Sequence, residues 1–371
     1  MKRVKRSFRD RLFSFDPFLL ACTLGLSAIS ILALFGGKEE FGTHALFMQS
    51  AMTVLGVLLV IFLSAIDYEE IVEKYSVPAY IGSVILLLIT LIFGFSIGSN
   101  RSWIEIPFTG FSIQPSEFVK AVYIMTFAKH LSLVKETINK PKTLLALAVH
   151  AGVIIGLVLL SGDLGVALIY VGITAVMLFC AGLDLRYFLA AILLVAFAFP
   201  FIWTFLETYQ QQRILIGFNP DLDPSGYGKQ PIIGRKAIIN GGFFGKGLFG
   251  GYYYTTLPIA ESDFMFATLA EKFGFVGGFF VIALLFLMVL RILMIARNAR
   301  KDYGKFICVG VAAMLVLQTL VNLGMCLVML PVIGVTLPFV SAGGSSVLAT
   351  YLIVGMVHSV RAGRNKYFLD T

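Results

Sequence analysis

Charged side chains are scarce in this chain. Asp, Glu, Lys and Arg make up only 13% of its 371 residues, and residues 306–360 contain none. Ordinary soluble domains are about 25% charged and about 45–50% apolar. Here 58% of residues are hydrophobic and the mean hydropathy is +0.90. A soluble globular enzyme and a disordered chain are excluded. Cysteine is equally thin: Cys22, Cys180, Cys308 and Cys326 all lie in apolar runs and none forms a C-x-x-C pair. That excludes a secreted disulfide scaffold and leaves four reduced packing residues. The four histidines, His44, His130, His150 and His358, fall in separate segments. Without an H-E-x-x-H or similar cluster they predict no dedicated zinc site. No low-complexity tract and no internal repeat is visible, and the lack of a repeat disfavours an inverted-repeat transporter.

Long apolar runs are what the chain does have. Charge-free stretches at 17–37, 41–66, 75–100, 143–162, 164–183, 187–206 and 273–290 each suit a membrane-spanning helix. The run after 306 is too long for one span, and Pro331, Gly334 and Pro338 divide it into spans near 306–330 and 339–360. One more span is predicted at 115–132, opening on Pro115 and carrying Glu117 and Lys120. The fold class expected is an all-α polytopic membrane protein of about ten transmembrane helices, forming one transmembrane domain over 1–371. A large extracytoplasmic loop, about 206–262, joins spans 7 and 8. The first span follows a basic start but has no A-x-A-like cleavage site, so it reads as a retained helix.

Ten spans put both termini on one side. Twenty Lys/Arg fall on that side and seven on the other, which places both termini in the cytoplasm. The same asymmetry accounts for the net charge of +8, so no nucleic acid partner is needed. Membrane lipid is the surrounding medium.

Polar residues collect on the outer face, in the loop 98–117, the loop 206–262 and the turn 331–346. The long loop holds ten glycines between Gly217 and Gly251. They read equally as a flexible connection and as backbone that approaches a ligand. Gly245-Lys246-Gly247-Leu248-Phe249-Gly250 fits G-x-G-x-x-G but lacks a βαβ context, and Asp221-x-Asp223-x-Ser225-Gly226 lacks the closing Glu of a calcium loop. Ionisable residues at membrane depth are functional candidates: Glu117, Lys120, Asp163, Glu261, Asp263, Glu271 and Lys272. Glu117 and Lys120 are spaced i, i+3 and can pair on one helix face. Asp163 at the head of the sixth span reads equally as its cap and as a direct participant, and the two roles can coexist. Glu261-Ser262-Asp263-Phe264 is the sharpest motif. Asp263 stands near a helix N-terminus facing outer water, where a carboxylate serves as a cap or as a general base.

Together these motifs resemble the SEDS family, the RodA/FtsW/SpoVE group of bacterial cell-wall polymerases. The resemblance runs from the third span to the tenth. It is carried by Arg101-x-Trp103-Ile104, Gln114-Pro115-Ser116-Glu117-x-x-Lys120 and Asp163-Leu164-Gly165. Further on come Asn219-Pro220 with Gly226-Tyr227 and Gln230, Gly241-Gly242-x-x-Gly245-Lys246-Gly247, Leu257-Pro258 and Ser262-Asp263-Phe264-x-Phe266. Asn322, Leu330-Pro331-Val332-x-Gly334 and Leu337-Pro338-Phe339-Val340-Ser341-x-Gly343-Gly344-Ser345-Ser346 complete it. The chain departs from the family's usual pattern at Asn240, at Ser161-Gly162, at Ala342 and at Lys272.

The resemblance implies a multi-pass glycosyltransferase of the bacterial cytoplasmic (inner) membrane that polymerises lipid II into β-1,4-linked peptidoglycan strands with inversion. It puts the catalytic aspartate on Asp263 and the polar cavity on Glu117, Lys120 and Asp163, with Ser341 nearby. Arg101, Gln230, Lys246 and Glu261 are the other candidate substrate contacts, and Arg101, Lys120 or Lys246 would stabilise the leaving pyrophosphate. A divalent cation (Mg2+ or Mn2+) held by Glu117, Asp163 or Asp263 is the only cofactor considered. The partners implied are lipid II, undecaprenyl-pyrophosphate-linked glycan, a class B penicillin-binding protein transpeptidase and other elongation-complex membrane proteins. The short tails and Asp223-Pro224-x-Gly226-Tyr227-Gly228 favour the elongation member (RodA) over cell division (FtsW) or sporulation (SpoVE). A lipid-linked precursor flippase and a membrane scaffold of the wall machinery are the alternatives.

Overall fold

The computed structural model describes residues 15–97, 100–106, 111–206 and 208–364. The basic segments 1–14 and 365–371, which hold part of the cytoplasmic charge count, lie outside the described residues, as do 98–99 and 107–110 of the first outer loop.

Among the described residues, ten helices of 17 to 33 residues make up the body: α1 (Pro17–Gly36), α2 (Lys38–Ala65), α3 (Tyr68–Phe93), α4 (Pro115–Val134), α5 (Pro141–Leu160), α6 (Leu164–Cys180), α7 (Leu185–Phe205), α11 (Met265–Arg297), α12 (Asp302–Cys326) and α13 (Gly344–Arg364). The outer loop after α7 is largely helical, with α8 (Thr208–Phe218), α9 (Lys229–Gly241) and the single turn α10 (Tyr253–Thr256). The all-helical polytopic architecture agrees with the sequence. Seven of the helices are long and apolar enough to cross a membrane, and α6 and α7 contribute shorter apolar stretches.

Local chemistry sets the helix starts. Asp16 caps α1 by accepting from Leu19 N at 2.9 Å, ahead of Pro17 at the first helical position. Asp67 caps α3 through Glu69 N at 3.2 Å. That cap moves the third span earlier than the charge-free run at 75–100, because Glu69, Glu70, Glu73 and Lys74 occupy helical turns at its cytoplasmic end. The residues after Phe93 form a small antiparallel sheet in place of the expected loop. Its order is β1 (Phe95–Ile97), β2 (Asn100–Ile106), β3 (Phe111–Ile113), with Phe95 opposite Trp103 and Glu105 opposite Ser112.

Helix α12 is the centre of the bundle and packs on α11, α4 and α6, while α13 lies along α2. Helix α7 stands apart, with no described residue buried. An apolar sequence on every face suits lipid on every face. Helix α11 breaks at Gly274, where φ is 67° and ψ −165°. The glycine-rich loop docks into this break: Phe275 N donates to Gly242 O (2.9 Å), Val276 N to Phe243 O (3.2 Å) and Lys246 N to Glu271 O (2.9 Å). Gly245 (φ 86°) meets the backbone of Lys272 and Gly274 with no room for a Cβ. These glycines serve chain-on-chain packing, a third role beside the flexible connection and the ligand approach that their sequence suggests.

Candidate active site at the outer face

The residues before α11 form a tight turn in which Ser262 N and Asp263 N both donate to Ile259 O at 3.2 Å. Ile259 is held at φ 58°, a left-handed conformation costly for a β-branched residue, and Phe339 in the 331–346 turn is at φ 64°. Three successive carbonyls of this turn are clamped from the 322–342 region. Ala342 N donates to Glu261 O at 2.7 Å, Ser341 Oγ to Ser262 O at 2.5 Å, and Asn322 Nδ2 to Asp263 O at 2.9 Å. Ser341 Oγ itself accepts from Leu337 N at 2.8 Å, and Asn322 also donates to Val335 O at 2.8 Å. The strained turn is thus over-determined by its surroundings. Asn322→Ala removes two of these bonds and leaves buried carbonyls unpaired. It is expected to cost about 1–3 kcal/mol, read as a lowered unfolding temperature together with a slower turnover.

Asp263 presents its carboxylate from that rigid turn. It does not cap α11. The cap residue is Phe264, which makes no side-chain bond, and the Asp263 carboxylate accepts from Ser262 Oγ at 3.3 Å. Its other oxygen faces Gly334, where a Cβ would stand 3.6 Å away. Burial pushes the Asp263 carboxyl up to about 6; Glu261 and Asp163 push the same way, and Ser262 and Arg213 oppose them.

Asp163 both caps and reaches into the site. Its Oδ1 accepts from Val166 N at 3.0 Å, and its Oδ2 accepts from Gln114 Nε2 at 2.6 Å. Gln114 immediately precedes α4, so this bond ties the outer ends of α4 and α6. One turn on, Lys120 Nζ donates to both oxygens of Glu117 at 2.8 Å, with both residues almost fully buried. Tyr170 OH donates to Ser116 O at 2.8 Å and closes this layer.

Two cavities flank the clamped turn. One, of about 410 Å³, is lined by Arg213, Tyr227, Lys229, Gln230, Pro258 and Val332, among others. The other, of about 470 Å³, is more apolar, with Met48, Trp103, Phe118, Glu261 and Ser345 on its walls. Pro258 lines the first and Glu261 the second, so the strand of chain that ends in Asp263 runs between them.

Asp263, Asp163, Glu261, Ser341 and Gln230 therefore belong to one outer region. Arg101 is engaged elsewhere: its guanidinium donates to Gly94 O (2.7 Å) and Ile92 O (2.8 Å) at the end of α3. Lys246 sits exposed on the loop docked beside Glu271. Glu271 lies eight residues beyond Asp263, about 12 Å along a helix. Its carboxylate accepts from the backbone N–H of Tyr252, Tyr253 and Tyr254 at 2.8–3.0 Å and from Asn240 Nδ2 of α9 at 2.7 Å. Lys272 donates to Leu248 O at 3.0 Å. These two charges hold the long loop in place. Arg213 and Lys229 read in the sequence as ordinary loop cations; only the folded loop gives them a shared cavity wall. The histidines, scattered along the chain, are not all apart in space: His130 and His150 meet at 3.1 Å between α4 and α5.

Among the described residues no three His, Cys, Asp or Glu side chains cluster as metal ligands. Both Glu117 oxygens are bound to Lys120, and both Asp163 oxygens accept hydrogen bonds. A hard cation at this site would take most of its ligands from water and substrate phosphate.

Fold and site define a class: a multi-pass helical membrane protein with a carboxylate rigidly held on a turn that two cavities flank at one face. The chain matches the FtsW/RodA/SpoVE cell cycle protein model over residues 12–366. It is 32% identical over 366 residues to the probable peptidoglycan glycosyltransferase FtsW of Trichlorobacter lovleyi, covering 95% of this chain and 94% of that one. It is 32% identical to stage V sporulation protein E of Bacillus subtilis (92% and 94% covered) and 29% identical to the peptidoglycan glycosyltransferase RodA of Treponema pallidum (94% and 98%). Among solved structures, a peptidoglycan synthase complex described as coordinating polymerization and crosslinking aligns at a TM-score of 0.83, with 29% identity and 96% of this chain covered against 99% of that one. RodA of Thermus thermophilus aligns at 0.72, with 25% identity, over 96% of this chain and 98% of its own. The chain belongs to the FtsW/RodA/SpoVE (SEDS) family. It is a multi-pass protein of the bacterial cytoplasmic membrane and, like that family, a peptidoglycan glycosyltransferase.

Proposed function

We propose that this chain polymerises lipid II at the outer face of the membrane by a single inverting displacement, with Asp263 as general base. The observation that carries this is the Asp263 carboxylate, fixed on a clamped turn whose chain segment passes between two cavities; among the described residues it serves as no cap and forms no ion pair. One cavity takes the glycan on undecaprenyl pyrophosphate and the other takes lipid II. Asp263 removes the proton from the acceptor sugar 4-hydroxyl as its oxygen bonds to the donor anomeric carbon. The bond from that carbon to the pyrophosphate breaks, the α linkage becomes β, and undecaprenyl pyrophosphate leaves. Arg213 and Lys229, on the wall of the first cavity, are the cations best placed for the leaving group. The bare surface of α7 beside this region suits the lateral entry of lipid tails.

The test is polymerisation of labelled lipid II by the purified chain, alone and with a class B penicillin-binding protein. Long glycan strands are expected. No product under either condition would favour the flippase or scaffold reading. The solved complex, which couples polymerization to crosslinking, supports a transpeptidase partner.

The base must be ionised, and its carboxyl is pushed up to about 6. Asp163 is pushed up to about 6 as well, chiefly by burial, and its charge adds to the upward push on Asp263. Turnover should therefore be level above pH 7 and fall as pH drops through about 6, at least tenfold per unit well below it. A limb near pH 4 would remove the buried carboxylate from the rate.

The elongation role rests on the Asp223-Pro224-x-Gly226-Tyr227-Gly228 segment, while the FtsW and SpoVE relatives are 32% identical and the RodA relative 29%. Complementation separates the roles. The gene should restore rod shape to cells depleted of their elongation member and leave division-depleted cells filamentous.

A further inference from the structure

We propose that residues 235–252 form an interfacial membrane anchor, seated in the outer leaflet and recognising phospholipid through aromatic side chains and headgroup-directed cations. Four large rings project from this segment: Phe243 is 59% exposed, Phe244 80%, Phe249 69% and Tyr252 66%. Rings of this size at such exposure amount to roughly 500 Å² of surface, at the upper end of what a water-facing surface leaves bare.

The patch is continuous with a surface that faces lipid. Phe243 stacks on Phe275 of α11 at 5.7 Å and 21°, and Phe275 stacks on Phe279 one turn deeper at 6.1 Å and 24°. Phe275 and Phe279 are 61% and 60% exposed on a helix apolar enough to cross the membrane. On the other flank, Phe249 meets Phe35 at the outer end of α1, 6.0 Å between centroids. The aromatic rings thus lie at the outer end of α1 and on α11 just past its break at Gly274, where its charge-free stretch begins, the level at which aromatic residues meet headgroups.

The segment's own charges have one sign, although Glu271 of α11 accepts from its backbone at Tyr252. Residues 224–260 contain no Asp or Glu, and Arg235, Lys236 and Lys246 lie among them. Arg235 and Lys236 sit on α9 with Ile239, which is 71% exposed. Cations beside exposed apolar groups on an amphipathic helix suit anionic phospholipid. The anchor is mechanically joined to α11, since the carbonyls of Gly242 and Phe243 accept from Phe275 and Val276 just past the Gly274 break. The first turns of α11, directly after Asp263, are therefore held by a lipid-seated loop.

The test measures depth and does not depend on catalysis, so it stands or falls apart from the polymerase reading. A nitroxide is placed at Phe244→Cys in a Cys180→Ser background, because Cys180 is the exposed one of the four cysteines. The full chain is reconstituted in bilayers containing phosphatidylglycerol. Power saturation should show several-fold better access for oxygen than for an aqueous nickel chelate, and R235Q/K236Q/K246Q should shift the ratio toward water. Equal aqueous access at position 244 in the bilayer would overturn the proposal. So would a label that is shielded only when a transpeptidase partner is added, which would make the patch a protein interface. A nitroxide at Phe279→Cys supplies the reference for a folded, inserted chain.

Discussion

Asp263→Asn is expected to abolish lipid II polymerisation while leaving the protein folded. The exchange keeps the shape of the side chain and removes its basicity. The turn itself is held through backbone carbonyls by Asn322, Ser341 and Ala342, none of which depends on the Asp263 carboxylate. Loss of a positioned general base costs about 10²- to 10⁴-fold, or about 3–5.5 kcal/mol of barrier at 1.36 kcal/mol per tenfold. The measurement compares initial rates of glycan formation at matched protein, with thermal unfolding as the control for folding. If the Asp263→Asn protein unfolds as wild type does and makes equal product, the base lies elsewhere and Asp163 becomes the next carboxylate to change.

The second large effect belongs to the buried pair in α4. Lys120→Met leaves Glu117 uncompensated in a site that is 4% exposed. Breaking a buried pair by removing one partner costs about 3–5 kcal/mol, whereas replacing both by apolar groups is often close to neutral. Lys120→Met and Glu117→Leu should therefore each lower unfolding stability more than the double variant does. Activity of the double variant then separates two roles. A stable, active double variant makes the pair a packing device. A stable, inactive one gives it a part in the reaction, reached through the neighbouring Asp163–Gln114 bond at 2.6 Å. Single variants as stable as wild type would mean that the pair is not desolvated.

Most of the candidate site was legible as separate motifs, because each lies at the outer end of a span where a polar residue has little other reason to be. Asp163, Glu117, Lys120 and Asp263 stand out as candidates on this ground. Their relations were not legible. The cap reading of Asp263 was reasonable from spacing alone, and it failed because the helix starts two residues later, leaving the carboxylate aimed at Gly334. Arg101 reads in the sequence as a cation for the pyrophosphate, whereas in the fold its guanidinium bonds the carbonyls that end α3. Arg213 and Lys229 carried no signal, since a cation in a long polar loop is ordinary until the loop folds.

Sequence by itself determined the class of molecule. Apolar runs longer than a soluble helix needs, with charges on one flank, leave only a helical bundle in lipid, because backbone polar groups there must bond within their own segment. Order along the chain also determined which motifs share a face, since alternate passes return to the same side. Tertiary structure alone decided the site. Hydrogen bonds from Asn322, Ser341 and Ala342 span 59 to 81 residues of sequence to reach Asp263, Ser262 and Glu261. The break at Gly274 exists because a distant glycine loop supplies the partners that the helix gives up. Contacts of that range depend on how the helices pack, and no local pattern of residues encodes them.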